Sequence, residues 1–386
     1  MKKILILGGD GYLGWPTAMH LAKKNFKVHL IDNFSKRSIE NENSITPLYK
    51  IETMKNRVNL WNSLNKKSSK LTFSFGDLLN HRFIYEELKK FKPDHIIHYA
   101  EQPSAPYSMA GRAQAVFTQN NNIIGSLNLL FGIKKICPKA HLLKLGTMGV
   151  YGTPNIDIEE GFINVKHKGR KDKMQFPMKP HSYYHCSKAA DSVNLYHACR
   201  VWNLRATDLN QGVVYGIDTP ETFLNKKLST SFHYDHIFGT VLNRFMVQAA
   251  LNLPLLIYGS GNQTRTFLNI NDTLQCVELA IKNPAKQGEY KVRNQFTEVF
   301  NIKELALIVQ DAARLMGINT KVNHIKNPRK EMSKHYYRPS NKSFLKIGLK
   351  AKKINKDFVI ENIKKIILSK KSVDKKIISP KIKWNH

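Results

Sequence analysis

The chain has 386 residues, 42% of them hydrophobic, enough for one large core or two associated domains. Its 61 Lys and Arg against 29 Asp and Glu give a formal net charge of +32, but the lysines are spread along the chain without any nucleic-acid-binding motif. No run reaches transmembrane length, and the scattered Cys137, Cys186, Cys199 and Cys276 offer neither a metal-ligand spacing nor a disulfide framework. The first apolar run begins within one residue of Met1, leaving no room for a signal or transit peptide, so a soluble cytoplasmic protein is expected.

Lys2–Leu7 reads as a buried parallel strand. It runs directly into Gly8-Gly9-Asp10-Gly11-Tyr12-Leu13-Gly14, which satisfies Gly-x-Gly-x-x-Gly through Gly9, Gly11 and Gly14. Glycines at this spacing allow a tight turn, close backbone approach to a pyrophosphate and close helix-to-strand packing. The following helix, through Ala18, Leu21 and Ala22, points its positive N-terminus at the phosphates. A second apolar strand over 27–31 ends in Asp32, where a ribose-binding acid is expected about 20 residues beyond the glycine loop. Strand, glycines, helix, strand and acid in this order predict a dinucleotide site. A carboxylate repels a 2′-phosphate, so Asp32, followed by Asn33, favours NAD; Lys36 and Arg37 lie close enough to leave NADP open.

Strands near 2–8, 27–32, 71–76, 94–99, 140–145 and 205–210 alternate with helical stretches. That alternation predicts an α/β protein, a doubly wound parallel Rossmann sheet with right-handed crossovers. From about Thr219 the pattern loosens into loops, short strands and amphipathic helices, as at 278–282 and 303–309. The expected organisation is a dinucleotide-binding domain over 1–218 with later returns around 235–282. A smaller α/β substrate-binding cap over 219–350 and a basic tail over 351–386 follow. The tail is either solvated or in contact with acidic lipid or protein.

In His181-Ser-Tyr-Tyr-His-Cys-Ser-Lys188, Tyr184 and Lys188 stand four residues apart, on one face of a helix. A nearby ammonium favours the phenolate, so Tyr184 can serve as a base toward a substrate hydroxyl near neutral pH. The same spacing also occurs as two solvated helix residues.

With the glycine loop, this pair and the run Lys144-Leu-Gly-Thr-Met-Gly-Val-Tyr-Gly152, the chain resembles the extended short-chain dehydrogenases that modify nucleotide sugars, the NAD-dependent epimerase/dehydratase family. The resemblance implies that Thr147 completes a Thr-Tyr-Lys triad and hydrogen-bonds the sugar O4. Tyr184 takes the O4 proton, and C4 passes hydride to NAD. Longer runs, Glu101–Met109, Gly146–Glu160, Asp208–Gly216 and Asn327–Arg329, resemble the branch of that family that makes UDP-sulfoquinovose from UDP-glucose and sulfite. This likeness extends to about residue 350 and continues weakly beyond. Met148 and Gly149 follow the triad Thr where ordinary 4,6-dehydratases place Asp-Glu. His185 then becomes the candidate proton shuttle, a buried structural His being the alternative.

On the substrate side the resemblance implies that Arg265 holds the diphosphate and that Arg329 lies near the nucleotide. Asn210 and Gln211 meet sugar and phosphate, Gln102 and Met148 meet substrate, and Asn243 and Arg244 contribute from a cap helix. A surface ion pair is the alternative for each arginine. On the cofactor side it implies that Asp77 and Leu78 lie at the adenine and that Lys188 bonds the nicotinamide ribose. Relatives pair through two long helices, so a homodimer is expected. The chain departs from the branch at Pro103, where an Arg meets the incoming sulfite, at Val150, where a Glu is usual, and at 330–334, a less acidic segment. Two further readings stay open: a UDP-hexose 4-epimerase or related enzyme that uses no sulfite, and an NAD-binding scaffold that recruits partners through its basic tail.

Overall fold

A computed structural model describes residues 1–384 except 330, 331, 333 and 334; most of the 330–334 departure therefore lies outside the described residues. Strands β1 (Lys3–Leu7), β2 (Lys27–Asp32), β3 (Leu71–Phe75), β4 (His95–His98) and β5 (His141–Thr147) come first. An antiparallel hairpin of β6 (Phe162–His167) and β7 (Arg170–Gln175) follows. Then come β8 (Arg205–Gln211), β9 (Val213–Tyr215), β10 (Leu255–Tyr258), β11 (Thr264–Asn269), β12 (Tyr290–Gln295), β13 (Glu298–Asn301) and β14 (Val322–Ile325). The main sheet has seven strands in the order β12-β8-β5-β4-β1-β2-β3, and every neighbouring pair is parallel. Strand order reverses between β1 and β4, and the crevice beyond their C-terminal ends is where such sheets bind ligands.

The period-2 alternation of β1 explains the layering. Ile4 and Ile6 face one way, onto Trp15, Ala18 and Met19 of the helix Gly14–Lys23 and Ala280 of the helix Ile270–Lys282. Leu5 and Leu7 face the other way, onto Leu88, Leu129 and Leu195 from the helices His81–Phe91, Gly125–Ile136 and Tyr183–Trp202. A separate core gathers the helices Val241–Ala250 and Ile302–Leu315 with Phe267 of β11.

The six expected strands are present, and the structure changes two expectations. The return to the sheet is not confined to 235–282: the helix Ile270–Lys282 packs on the sheet, but the returning strand is β12, paired with β8. Its sequence, Tyr-Lys-Val-Arg-Asn-Gln, alternates polar and apolar residues and carries no local sign of a parallel neighbour. Nor is 351–386 a solvated tail. The helix Lys356–Leu368 buries Val359, Ile363 and Ile366 completely against Val241–Ala250 and Ile302–Leu315, while Lys356 and Lys364 face water. Among the described residues no helix is long and apolar enough to cross a membrane.

Candidate active site

A cavity of about 480 Å³ lies at the strand-order reversal and has both the glycine loop and the Thr147–Tyr184 region in its wall. Gly8 has φ +84°, and a Cβ built there would lie 2.7 Å from the backbone nitrogen of Ala100. A Cβ at Gly14 would lie 2.0 Å from the Gly8 carbonyl oxygen, so the turn closes only with glycine at both places. Above Gly11 the space is open, the nearest atom to an added Cβ being the Gly8 oxygen at 3.5 Å. This leaves a bare backbone cradle at the start of the helix Gly14–Lys23, which fits a pyrophosphate. Gly9 is not in the cavity wall; an added Cβ would strike Leu30 at 2.9 Å, so its job is helix-to-sheet packing rather than cofactor contact.

Asp32 closes β2 and lines the cavity. Its carboxylate accepts the backbone N–H groups of Asp10 at 2.8 Å and Phe34 at 2.7 Å. Burial, reinforced by the charge of Asp10, pushes it up to about 6. The Asp10 carboxylate is held by Arg37 at 2.6 and 2.8 Å and by the buried Arg57. Arg37 therefore does not line the cavity, contrary to its expected place beside the cofactor. Lys36 does line it, but its ammonium is bound to Glu40 at 2.5 Å and to Ser231 at 2.8 Å. Both basic residues that left NADP open are thus neutralised by carboxylates, which strengthens the case for NAD. Asn33 donates to Asp77 at 2.9 Å, and Asn33, Asp77 and Leu78 share the wall with Tyr12 and Leu13.

Thr147 ends β5, its hydroxyl accepts the Gly149 N–H at 3.1 Å, and it shares the cavity wall with Tyr184. Tyr184 enters the cavity from the first turn of the helix Tyr183–Trp202, which Ser182 caps by accepting the His185 N–H at 3.2 Å. The Lys188 ammonium lies 5.8 Å from the Tyr184 ring centre, one turn on, as the spacing predicts. It sits behind the wall, however, 2.7 Å from the Glu101 carboxylate and donating to the Leu145 carbonyl at 2.6 Å. Burial raises the Tyr184 hydroxyl far above its ordinary value, Glu101 adds to the rise, and Lys144 and the neighbouring Thr147 oppose it. The expectation of a phenolate poised by Lys188 near neutral pH is corrected: in this site the carboxylate cancels the ammonium and Tyr184 rests as a phenol. Replacing Glu101 with Gln is expected to move the acid limb of the kcat/KM–pH profile to lower pH, since the group that raises the phenol is gone. An unshifted limb would remove Glu101 from this role.

His185 packs against Tyr184, ring centres 5.1 Å apart, with Nδ1 2.9 Å from the Ser182 hydroxyl. Burial drives it down to about 3, with Arg329 and His181 adding to the fall. It is a neutral imidazole at physiological pH, so the expected match of its pKa to both directions of proton transfer does not hold. A Cβ at Gly149 would lie 2.3 Å from its Nε2. Gly149→Ala must therefore displace the imidazole, and turnover is expected to fall about 100-fold while dinucleotide binding holds; wild-type turnover would argue against a working position for His185.

At the far end, Met148, Gln211, Asn243, Arg244, Arg265 and Arg329 line the cavity. Arg265 donates to the Thr264 carbonyl at 2.8 Å, Arg244 lies over Tyr258 at 5.1 Å, and Asn243 accepts the Gly216 N–H at 3.1 Å. Gln102 and Asn210 are not in the wall, contrary to expectation. The Gln102 amide donates to the Ser104 carbonyl at 3.0 Å and to Thr118 at 2.8 Å, fixing the loop that carries Glu101 and Pro103. Asn210 donates to the Tyr151 hydroxyl at 2.8 Å beneath the wall. A π-helical bulge, Asn120–Ile124, turns Asn121 to the cavity and Asn122 to Gln102 and Ser187.

Sequence reasoning missed Glu101, Lys144 and Trp384. A carboxylate just beyond an apolar strand and a lysine inside one were available as signals. The fully buried Lys144 donates to the Lys188 carbonyl at 3.1 Å and lies 3.6 Å from Asp208. Trp384 carried no local sign.

Residues 4–302 match the sequence profile of the NAD dependent epimerase/dehydratase family. The chain is 46% identical over 383 residues to the chloroplastic UDP-sulfoquinovose synthase of Spinacia oleracea, covering 99% of this chain and 79% of that one. It is 40% identical over 385 residues to the UDP-sulfoquinovose synthase of Sulfolobus acidocaldarius, covering 99% and 97%. The UDP-glucose 4-epimerase of Thermus thermophilus, solved with NAD, shares the fold at a TM-score of 0.68 and 20% identity over 94% of this chain and 98% of that one. With its glycine cradle, Thr147 and Tyr184 in one cavity wall and matches of this length, the chain belongs to the NAD-dependent epimerase/dehydratase family.

Proposed function

We propose that the protein converts UDP-glucose and sulfite into UDP-sulfoquinovose, using NAD without net consumption. The observation that carries this reading is the gathering of Thr147, Tyr184 and His185 in the wall of a cavity that also holds the dinucleotide cradle, Arg265 and Arg329. Identity of 46% and 40% to two proteins named for this reaction supports it.

Bound NAD would accept hydride from C4 and later return it. Thr147 orients the sugar O4, and Tyr184, a phenol at rest that must first give up its own proton, removes the O4 proton as C4 is oxidised to a ketone; the cationic nicotinamide of bound NAD would favour that phenolate. The ketone acidifies the C5 proton; loss of that proton and of the 6-hydroxyl as water leaves a C5–C6 double bond. No Asp-Glu pair follows Thr147, so His185, as a neutral imidazole, takes the C5 proton and delivers it to the departing hydroxyl. Sulfite, entering as bisulfite, then adds through sulfur at C6 while its proton passes to C5, and O4 recovers its own proton from Tyr184 as the hydride returns to C4. Arg265 and Arg329 supply forked donors for the diphosphate.

One observation favours a second reading. Pro103, in the cavity wall, stands where the branch places an arginine for sulfite, and an enzyme lacking that cation would be left with C4 epimerisation. Incubating the protein with UDP-glucose, with and without sulfite, and weighing the products by mass spectrometry decides between them. A sulfonated UDP-hexose formed only with sulfite supports the synthase; sulfite-independent conversion to the galacto isomer replaces it.

A homodimer through the helices Gly125–Ile136 and Tyr183–Trp202 belongs to the same proposal. It is supported by Phe131, Val193 and Val201, exposed by 46%, 51% and 61%. The four free cysteines support a reducing compartment such as the cytoplasm.

A further inference from the structure

We infer that Trp384, carried by the last segment of the chain, is a positioning residue of the nucleotide-sugar site and acts by holding Arg329. The segment beyond the helix Lys356–Leu368 is tied down along its length. The Asp374 N–H donates to the Tyr234 hydroxyl at 3.0 Å, and the Ile377 carbonyl accepts the His236 N–H at 3.0 Å. Ile377 and Ile378 are buried in the same core as Phe245 and Leu305. These anchors, Tyr234 and His236, directly precede Ile237, Phe238 and Gly239, which line the cavity. Further along the segment the Trp384 backbone N–H donates to the Pro328 carbonyl at 2.9 Å. There the Arg329 guanidinium lies over the indole at 5.2 Å, and both residues line the cavity.

A guanidinium stacked on an aromatic face is held in one plane, which fixes the direction of its N–H groups. The backbone bond to Pro328 fixes the indole from the residue next to Arg329, so the two side chains are registered by a short, direct linkage. The ligand chemistry served is a nucleoside diphosphate. This inference rests on the reading that a UDP-sugar fills that end of the cavity, and it adds a residue far from every motif that suggested the reading.

Intrinsic fluorescence tests it. Trp15 and Trp61 are wholly buried, and Trp202 ends the outer helix Tyr183–Trp202, so quenching on titration of the full-length protein with UDP reports chiefly on Trp384. The expected result is quenching in the wild type that Trp384→Phe largely removes, while calorimetry shows the phenylalanine variant retaining most of the UDP affinity. Trp384→Ala weakens UDP at least tenfold, leaves NADH binding unchanged, and adds little to the loss caused by Arg329→Ala. Wild-type UDP affinity in Trp384→Ala overturns the inference and leaves the proposed function standing. A wild type that binds NADH but not UDP overturns both.

Discussion

Tyr184→Phe is expected to retain its dinucleotide and to lose turnover by about 10³-fold, within the range for removing a general base. The substitution keeps the ring that packs on His185 and deletes only the hydroxyl that faces the cavity beside Thr147. It leaves the Glu101–Lys188 pair and the glycine cradle untouched, so folding and cofactor binding have no reason to change. Rapid mixing with UDP-glucose, followed at the absorbance band of the reduced nicotinamide, reads the first hydride transfer directly, and the bound dinucleotide can be weighed after denaturation. Residual turnover within tenfold of the wild type would mean that another group takes the O4 proton. The same variant discriminates an enzyme from a scaffold that recruits partners, because a scaffold keeps its full activity without this hydroxyl.

Thermal stability is expected to fall steeply as pH drops from about 6.5 toward 4.5. Burial holds His95 and His98 at about 4, His141 at about 2 and His185 at about 3, whereas in the unfolded chain each sits near 6.5. A depressed imidazole stabilises the fold fully above the unfolded value and loses that contribution as pH falls through the gap, because the unfolded chain takes up protons the native state refuses. Each such group removes up to ~1.4 kcal/mol per pH unit. Asp32 and Asp272, raised to about 6 by burial, work in the opposite sense and offset part of the loss. Calorimetry between pH 7 and 4.5 should show Tm falling by several degrees or more, and His98→Gln should flatten the slope. A Tm that stays level across this range would mean these imidazoles are not held neutral in the fold.

The half of the fold legible in the sequence is the half built from local pattern. β1, the glycine turn, the following helix and β2 are contiguous, and their apolar runs are buried on both faces, so period and punctuation sufficed. β12 was hidden because its partner, β8, lies about 80 residues earlier and its own composition is mixed. Residues 351–386 misled because lysine density dominates composition, whereas folding depends on Val359, Ile363 and Ile366 at helical spacing.

The site divides along the same line. Thr147, Tyr184, His185 and Asp32 lie where their motifs predict because each is fixed by the end of its own strand or helix. The state of Tyr184 was not legible, since it depends on Glu101, a residue from another strand end whose charge meets Lys188 only in three dimensions. Gln102, Asn210 and Arg37 stand behind the cavity wall for a related reason. Each donates to a polar neighbour from elsewhere in the chain, Thr118, Tyr151 or Asp10.

The path of the chain between β8 and β13 sets how substrate can be admitted. From β8 the backbone steps straight into β9, builds the outer core, comes back as β12, and leaves again for β13. The sheet and the outer layer are thus stitched together by several crossings, with Tyr12 and Gly216 bridged at 2.5 Å beside them. A clamshell needs one or two flexible straps, and this molecule has none of that simplicity. A rotation of one layer against the other would have to bend every one of these crossings at once.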